Sequence, residues 1–142
     1  MRTTYKILAH LIAVAVVVQT ALIAMTMFMV IQIAGEGNSL GGPPVTAILH
    51  GNIGEMAIPA LAVALVVVSI FAHAGMKWAL WLILAVAVQY VLAIIAFGAP
   101  WVGLLHAANA FTILALAELG AYAVAHAPAY VPQVKASMRP AL

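Results

Sequence analysis

Apolar residues in this chain come in long runs rather than in alternation. Four runs, about 7–34, 47–72, 78–97 and 102–125, each match the length needed to cross the hydrocarbon layer of a bilayer, about 20 residues. No stretch carries the period-two pattern of a membrane β-strand, so the runs are read as helices, which satisfy their backbone polar groups internally. The breaks between them hold helix-stopping chemistry. Residues 35–45 read GEGNSLGGPPV, residues 74–77 form a short turn, and Gly98-Ala99-Pro100 forms another. Short turns after the second and third runs make neighbouring helices antiparallel. The expected fold is an all-α integral membrane protein, an antiparallel up-down-up-down four-helix transmembrane bundle over residues 1–126. A Pro-containing cytoplasmic tail, with Pro128, Pro132 and Pro140, is expected over 127–142. No internal repeat is evident.

Composition narrows the class. Of 142 residues 68% are hydrophobic and 6% charged, against about 25% charged in an ordinary soluble domain. A soluble globule this small has too little interior for so many apolar side chains. This excludes a soluble enzyme, a disordered chain and a nucleic-acid binder; the net charge of +2 comes with no basic run. The lack of Cys excludes disulfides, thiolate metal sites and c-type haem attachment. The basic residues set an orientation. Arg2 and Lys6 precede the first run, Lys77 lies between the second and third, and Lys135 and Arg139 follow the fourth. The two opposite loops have none, so the positive-inside rule places both termini on the cytoplasmic side of the cell membrane. The first run is too long for a signal-peptide core and shows no A-x-A cleavage site.

Five histidines then carry the chemistry. His50 and His106 each lie about one turn into spans two and four, roughly 5–8 Å below the outer helix starts. Those spans run the same way, so the two imidazoles share a depth, as the axial ligands of a b-type haem must. Small residues surround them: Gly51 and Gly54 after His50, Gly103 before His106, and Ala110 one turn after it. A flat macrocycle needs small neighbours beside its ligands; close helix packing in lipid needs them equally. His73 and His126 lie far from the outer pair and off its face, which argues against a second, inner haem. They are expected to cap helix C-termini. His10 is expected at the interface or bonded to a neighbour.

Two carboxylates fall within the runs, where ionisable groups are costly and mark function. Glu55 is expected to orient a ligand His or to carry a proton. Pro59, four residues on, removes the hydrogen bond to the Glu55 carbonyl and predicts a local kink. Glu118 is expected to bond Gln89, Gln19 or Thr112. Gln19, Thr26, Gln89 and Asn109 are read as interhelical hydrogen-bond partners, and Met25, Met27 and Met29 as packing. The outer loops hold no Lys or Arg for haem propionates, leaving Asn38, Ser39, Asn52 and backbone N–H groups.

The stretches HGNIGEMAIPALAV, MKWALWLILAVAVQYVLAII and LLHAANAFTILAL resemble a family of small four-helix membrane proteins of unassigned function. Its helix two starts His-Gly-x-x-Gly, and its helix four starts Leu-His-x-x-Asn-Ala. More distantly, the layout is similar to one four-helix half of haem A synthase, which implies that His50 and His106 match a haem-ligand pair. Glu55 follows His50, whereas that enzyme's catalytic Glu precedes its His. The resemblance therefore implies a haem site but does not carry over that enzyme's catalytic Glu.

Three readings follow. The first is a small b-type cytochrome: one haem b held near the outer face by His50 and His106 as axial ligands, with Gly51, Gly54, Gly103, Ala110 and Glu55 around it. It would pass electrons to or from a neighbouring redox subunit, possible donors including a quinone, and act as an electron-transfer or accessory subunit rather than a stand-alone enzyme. The second is a cofactor-free subunit of a larger membrane complex. The third is a proton-coupled small transporter using Glu118 or Glu55.

Overall fold

Pro44, Gly75 and Pro100 each precede a helix, and these breaks divide the chain as the hydrophobic runs predict. The computed structural model describes residues 1–130; the remainder of the expected tail, 131–142, lies outside the described residues. The helices are α1 (Arg2–Gly35), α2 (Val45–Asn52), α3 (Ile58–Ala72), α4 (Met76–Gly98) and α5 (Val102–Ala125). No strand occurs among the described residues. Four helical segments are long and apolar enough to cross a membrane: Arg2–Gly35, Val45–Ala72, Met76–Gly98 and Val102–Ala125.

The second of these is not one uniform helix. A π-helical turn, Ile53–Ala57, joins α2 to α3, and the Ile58 N–H bonds back five residues to the Ile53 carbonyl. Pro59 is the cause. It has no N–H to give the Glu55 carbonyl, and its ring crowds that carbonyl in an α-helical turn. Widening the turn by one residue relieves the crowding. The kink predicted at Pro59 is thus a register shift that rotates α2 relative to α3.

Helix ends follow local chemistry. Gly37, at φ 73°, closes α1; its N–H bonds the Ala34 carbonyl and that of Asn38 bonds the Ile33 carbonyl, a complete Schellman motif. The α3–α4 turn uses two left-handed residues, His73 (φ 49°) and Gly75 (φ 82°). As expected, His73 and His126 are the C-cap residues of α3 and α5.

The core is one-sided. α1, α3, α4 and α5 form a closed ring of packed neighbours, while α2 packs chiefly on α1. Tyr5, Ala9, Ile12, Ala13 and Val16 on α1 meet Ala62 and Leu65 on α3, Ala79 and Leu82 on α4, and Ile113, Ala117 and Ala121 on α5. Many of these are Ala, so the backbones approach closely. Tyr5 is fully buried and donates its hydroxyl to the Gly75 carbonyl at 3.1 Å. A Cβ on Gly120 would lie 2.9 Å from the Tyr5 hydroxyl, so Gly120 is what lets the ring enter. Arg2 donates to the carbonyls of Ala127 and Pro128 and ties the start of α1 to the segment after α5. At the other end of the bundle Val102 is the one buried apolar side chain, joined by the buried Thr26–Thr46 hydroxyl pair, 2.6 Å apart, that fastens α1 to α2.

Candidate paired-imidazole site

His50 and His106 come together in this thinly packed end. Their ring centres are 6.4 Å apart and their planes are inclined by 56°. Both rings are half-buried. His50 Nδ1 lies 3.1 Å from the Gln19 backbone carbonyl, and His106 Nδ1 lies 3.2 Å from that of Gln89. A carbonyl only accepts, so both Nδ1 atoms carry the proton and donate it. In the neutral rings both Nε2 atoms are then left with their lone pairs. Each acceptor is a mid-helix carbonyl whose second lone pair is not needed by the helix ladder. Anchoring of one ring nitrogen to a carbonyl is what fixes the tautomer and orientation of metal-binding histidines.

The two halves repeat one device. α1 and α4 each present a Gln, and α2 and α5 each present the His that bonds its backbone. The side chains differ. The Gln89 amide donates to His106 Nε2 at 3.1 Å and accepts from Asn109 Nδ2 at 2.8 Å; Asn109 also bonds the Ala85 carbonyl at 2.8 Å. Gln19 is only 8% exposed. Among the described residues neither its Oε1 nor His50 Nε2 has a hydrogen-bond partner. Gln19 and Gln89 were expected only as bridging side chains. Their anchoring role lies in the main chain, and the one signal for it is a Gln in the middle of spans one and three.

The small neighbours divide in two. Around the Cβ positions of Gly51 and Gly103 nothing lies within 4 Å, so neither glycine serves close helix packing. A Cβ on Gly54 would stand 2.8 Å from Gln19 Nε2; there the glycine makes room for the buried amide. Ala110 packs against the edge of the core. Glu55 lies in the π-turn with an exposed side chain. The groups that orient both imidazoles are backbone carbonyls; of the two roles expected for Glu55, orienting a ligand His or carrying a proton, the first is not met.

Glu118 departs from expectation. Its Oε1 lies 3.0 Å from His10 Nδ1, and it bonds none of Gln89, Gln19 and Thr112. The chain was expected to turn this carboxylate inward, yet it faces out of the bundle with its partner. At the same end His73 stacks on Tyr130, centroids 3.9 Å apart, and His126 Nδ1 donates to the Tyr122 carbonyl at 2.8 Å. Asn38, one expected propionate donor, bonds Glu36, and Asn52 is exposed. Met29 receives the Thr46 hydroxyl at 3.9 Å. Comparison of the chain with protein-family models, with curated proteins and with solved structures finds no match in any of the three.

Proposed function

We propose that the chain is a small b-type cytochrome of the cell membrane, an up-down-up-down bundle with both termini cytoplasmic. In this reading it binds one haem b between His50 and His106 near the outer face and exchanges electrons with a redox partner. The observation that carries the reading is the pair of imidazoles 6.4 Å apart, each held through Nδ1 by a main-chain carbonyl. Two imidazole nitrogens about 2 Å from a shared metal set ring centres roughly 6 Å apart. Two side chains are too few for a bare ion, but a porphyrin supplies four further nitrogens. The open space beside Gly51 and Gly103 supports a flat ligand. One adjustment is needed: the Gln89 amide must turn away from His106 Nε2. Bound haem would supply one-electron chemistry; the residues here hold it and set the donor strength of its ligands.

That Gln89–His106 bond favours a second reading, a cofactor-free accessory subunit whose histidines brace α1 to α2 and α4 to α5. An absorption spectrum decides between them. Protein purified from haem-replete membranes is expected to show a sharp b-type α-band on dithionite reduction, lost in both His50→Ala and His106→Ala. Folded protein with no band refutes the haem reading, and haem kept by both variants refutes the ligand assignment.

A further inference from the structure

At the termini end, on the outer surface of α1 and α5, lies a second polar group that the haem reading leaves unused. His10 and Glu118 are bonded at 3.0 Å, yet their side chains are 56% and 47% exposed. Lys6 stands one turn before His10 on α1, and Tyr122 one turn after Glu118 on α5. The four flank a groove of about 220 Å³, lined also by Ala121 and Ala125. His10 is about 12 Å along α1 from Arg2, and Glu118 about 10 Å along α5 from Ala125. On the membrane reading both residues fall inside the apolar runs that begin at residue 7 and end at residue 125, where an outward-facing carboxyl and imidazole are costly unless a polar group covers them.

We infer that this groove binds the head of a membrane-soluble quinone or quinol. The depth calls for a neutral head on an apolar tail, reached sideways from the lipid. The groove offers donors (Lys6, Tyr122) for ring carbonyls and an acceptor (Glu118) for ring hydroxyls, while His10 serves either way. Two alanines leave space for a flat ring. The Glu118 carboxylate opposes a phosphate headgroup, and among the described residues Lys6 is the one lysine or arginine lining the groove. The inference rests on the membrane reading but not on the haem, whose candidate ligands lie elsewhere.

The test titrates the full-length protein in detergent micelles with decyl-benzoquinone and follows quenching of tryptophan fluorescence. Saturable binding is expected. Glu118→Gln and His10→Ala should each weaken it roughly tenfold, the loss of one charge-assisted or imidazole hydrogen bond. Tyr122→Phe should weaken it a few-fold, and Glu36→Gln, on the far loop, should leave it unchanged. The affected side chains are half-exposed, and an unchanged thermal midpoint confirms the fold of each variant. No saturable binding, or equal affinity in the three groove variants, overturns the inference. So does displacement of the quinone by phosphatidylglycerol, which marks a phosphate site. A cross-linked dimer lost in Glu118→Gln, with no quinone binding, overturns it in favour of an interface between copies. Protein absent from alkali-washed membranes refutes instead the membrane reading beneath it.

Discussion

Replacing Gln89 by Leu removes an amide of similar size that makes two side-chain hydrogen bonds, 3.1 Å to His106 Nε2 and 2.8 Å from Asn109. It spares the bond from His106 Nδ1 to residue 89, because that acceptor belongs to the main chain. Asn109 also keeps its bond to the Ala85 carbonyl. Each lost bond between neutral, part-buried groups is worth about 0.5–1.5 kcal/mol, so the cofactor-free protein should lose roughly 1–3 kcal/mol of stability. Haem should respond in the opposite sense. In the natural chain, ligation through His106 Nε2 must first break the Gln89 bond, and in the variant there is none to break. Haem affinity should therefore rise by about 1 kcal/mol, or about fivefold. Apoprotein in micelles would be titrated with haem by Soret absorbance, and its unfolding followed by far-UV circular dichroism. Lower stability with tighter haem binding is the expected pair of results. A folded variant that binds haem no better than the natural chain refutes the assignment of His106 Nε2 to the iron.

Two further substitutions probe the glycines. Gly103→Leu adds a side chain where nothing lies within 4 Å. Its apoprotein should keep its stability or gain up to about 1 kcal/mol, while its haem affinity falls about tenfold through overlap with the macrocycle; full haem retention places the cofactor elsewhere. Gly75→Ala puts a methyl group 2.6 Å from Val124 Cγ2 and 2.7 Å from the Tyr5 ring, at φ 82°. Left-handed strain and overpacking together should cost roughly 2–5 kcal/mol in the unfolding measurement. A loss below about 0.5 kcal/mol would show that the turn yields without strain.

The four helical runs were legible because apolar length and Gly/Pro punctuation are local properties, and each of the four membrane-length helical segments begins and ends within about five residues of its run. Pro59 announced a disturbance but not its form; whether a turn bends or widens depends on packing on both sides. The approach of His50 to His106 followed from depth counting along two helices. The main-chain anchors at Gln19 and Gln89 did not, since any residue type can offer a carbonyl and only the rotation of neighbouring helices selects which. His10 bonds a neighbour as expected, whereas Glu118 was misread for a physical reason. A polar residue in an apolar run is expected to face the bundle, but the interior of the termini end is occupied by Tyr5, Leu65, Leu82 and small residues. The pair is displaced to the outer surface.

The uneven core also bears on how a cofactor could be loaded. Tyr5, Gly75, Gly120 and Val124 lock one end of the bundle, whereas the end holding the two imidazoles is joined by a few polar contacts. Opening that second end breaks hydrogen bonds worth about 1 kcal/mol each and, beyond the buried Val102, little of the apolar packing. On the haem reading, folding and loading would therefore be separable events: the chain would reach its final topology empty and accept or surrender its ligand without passing through an unfolded state.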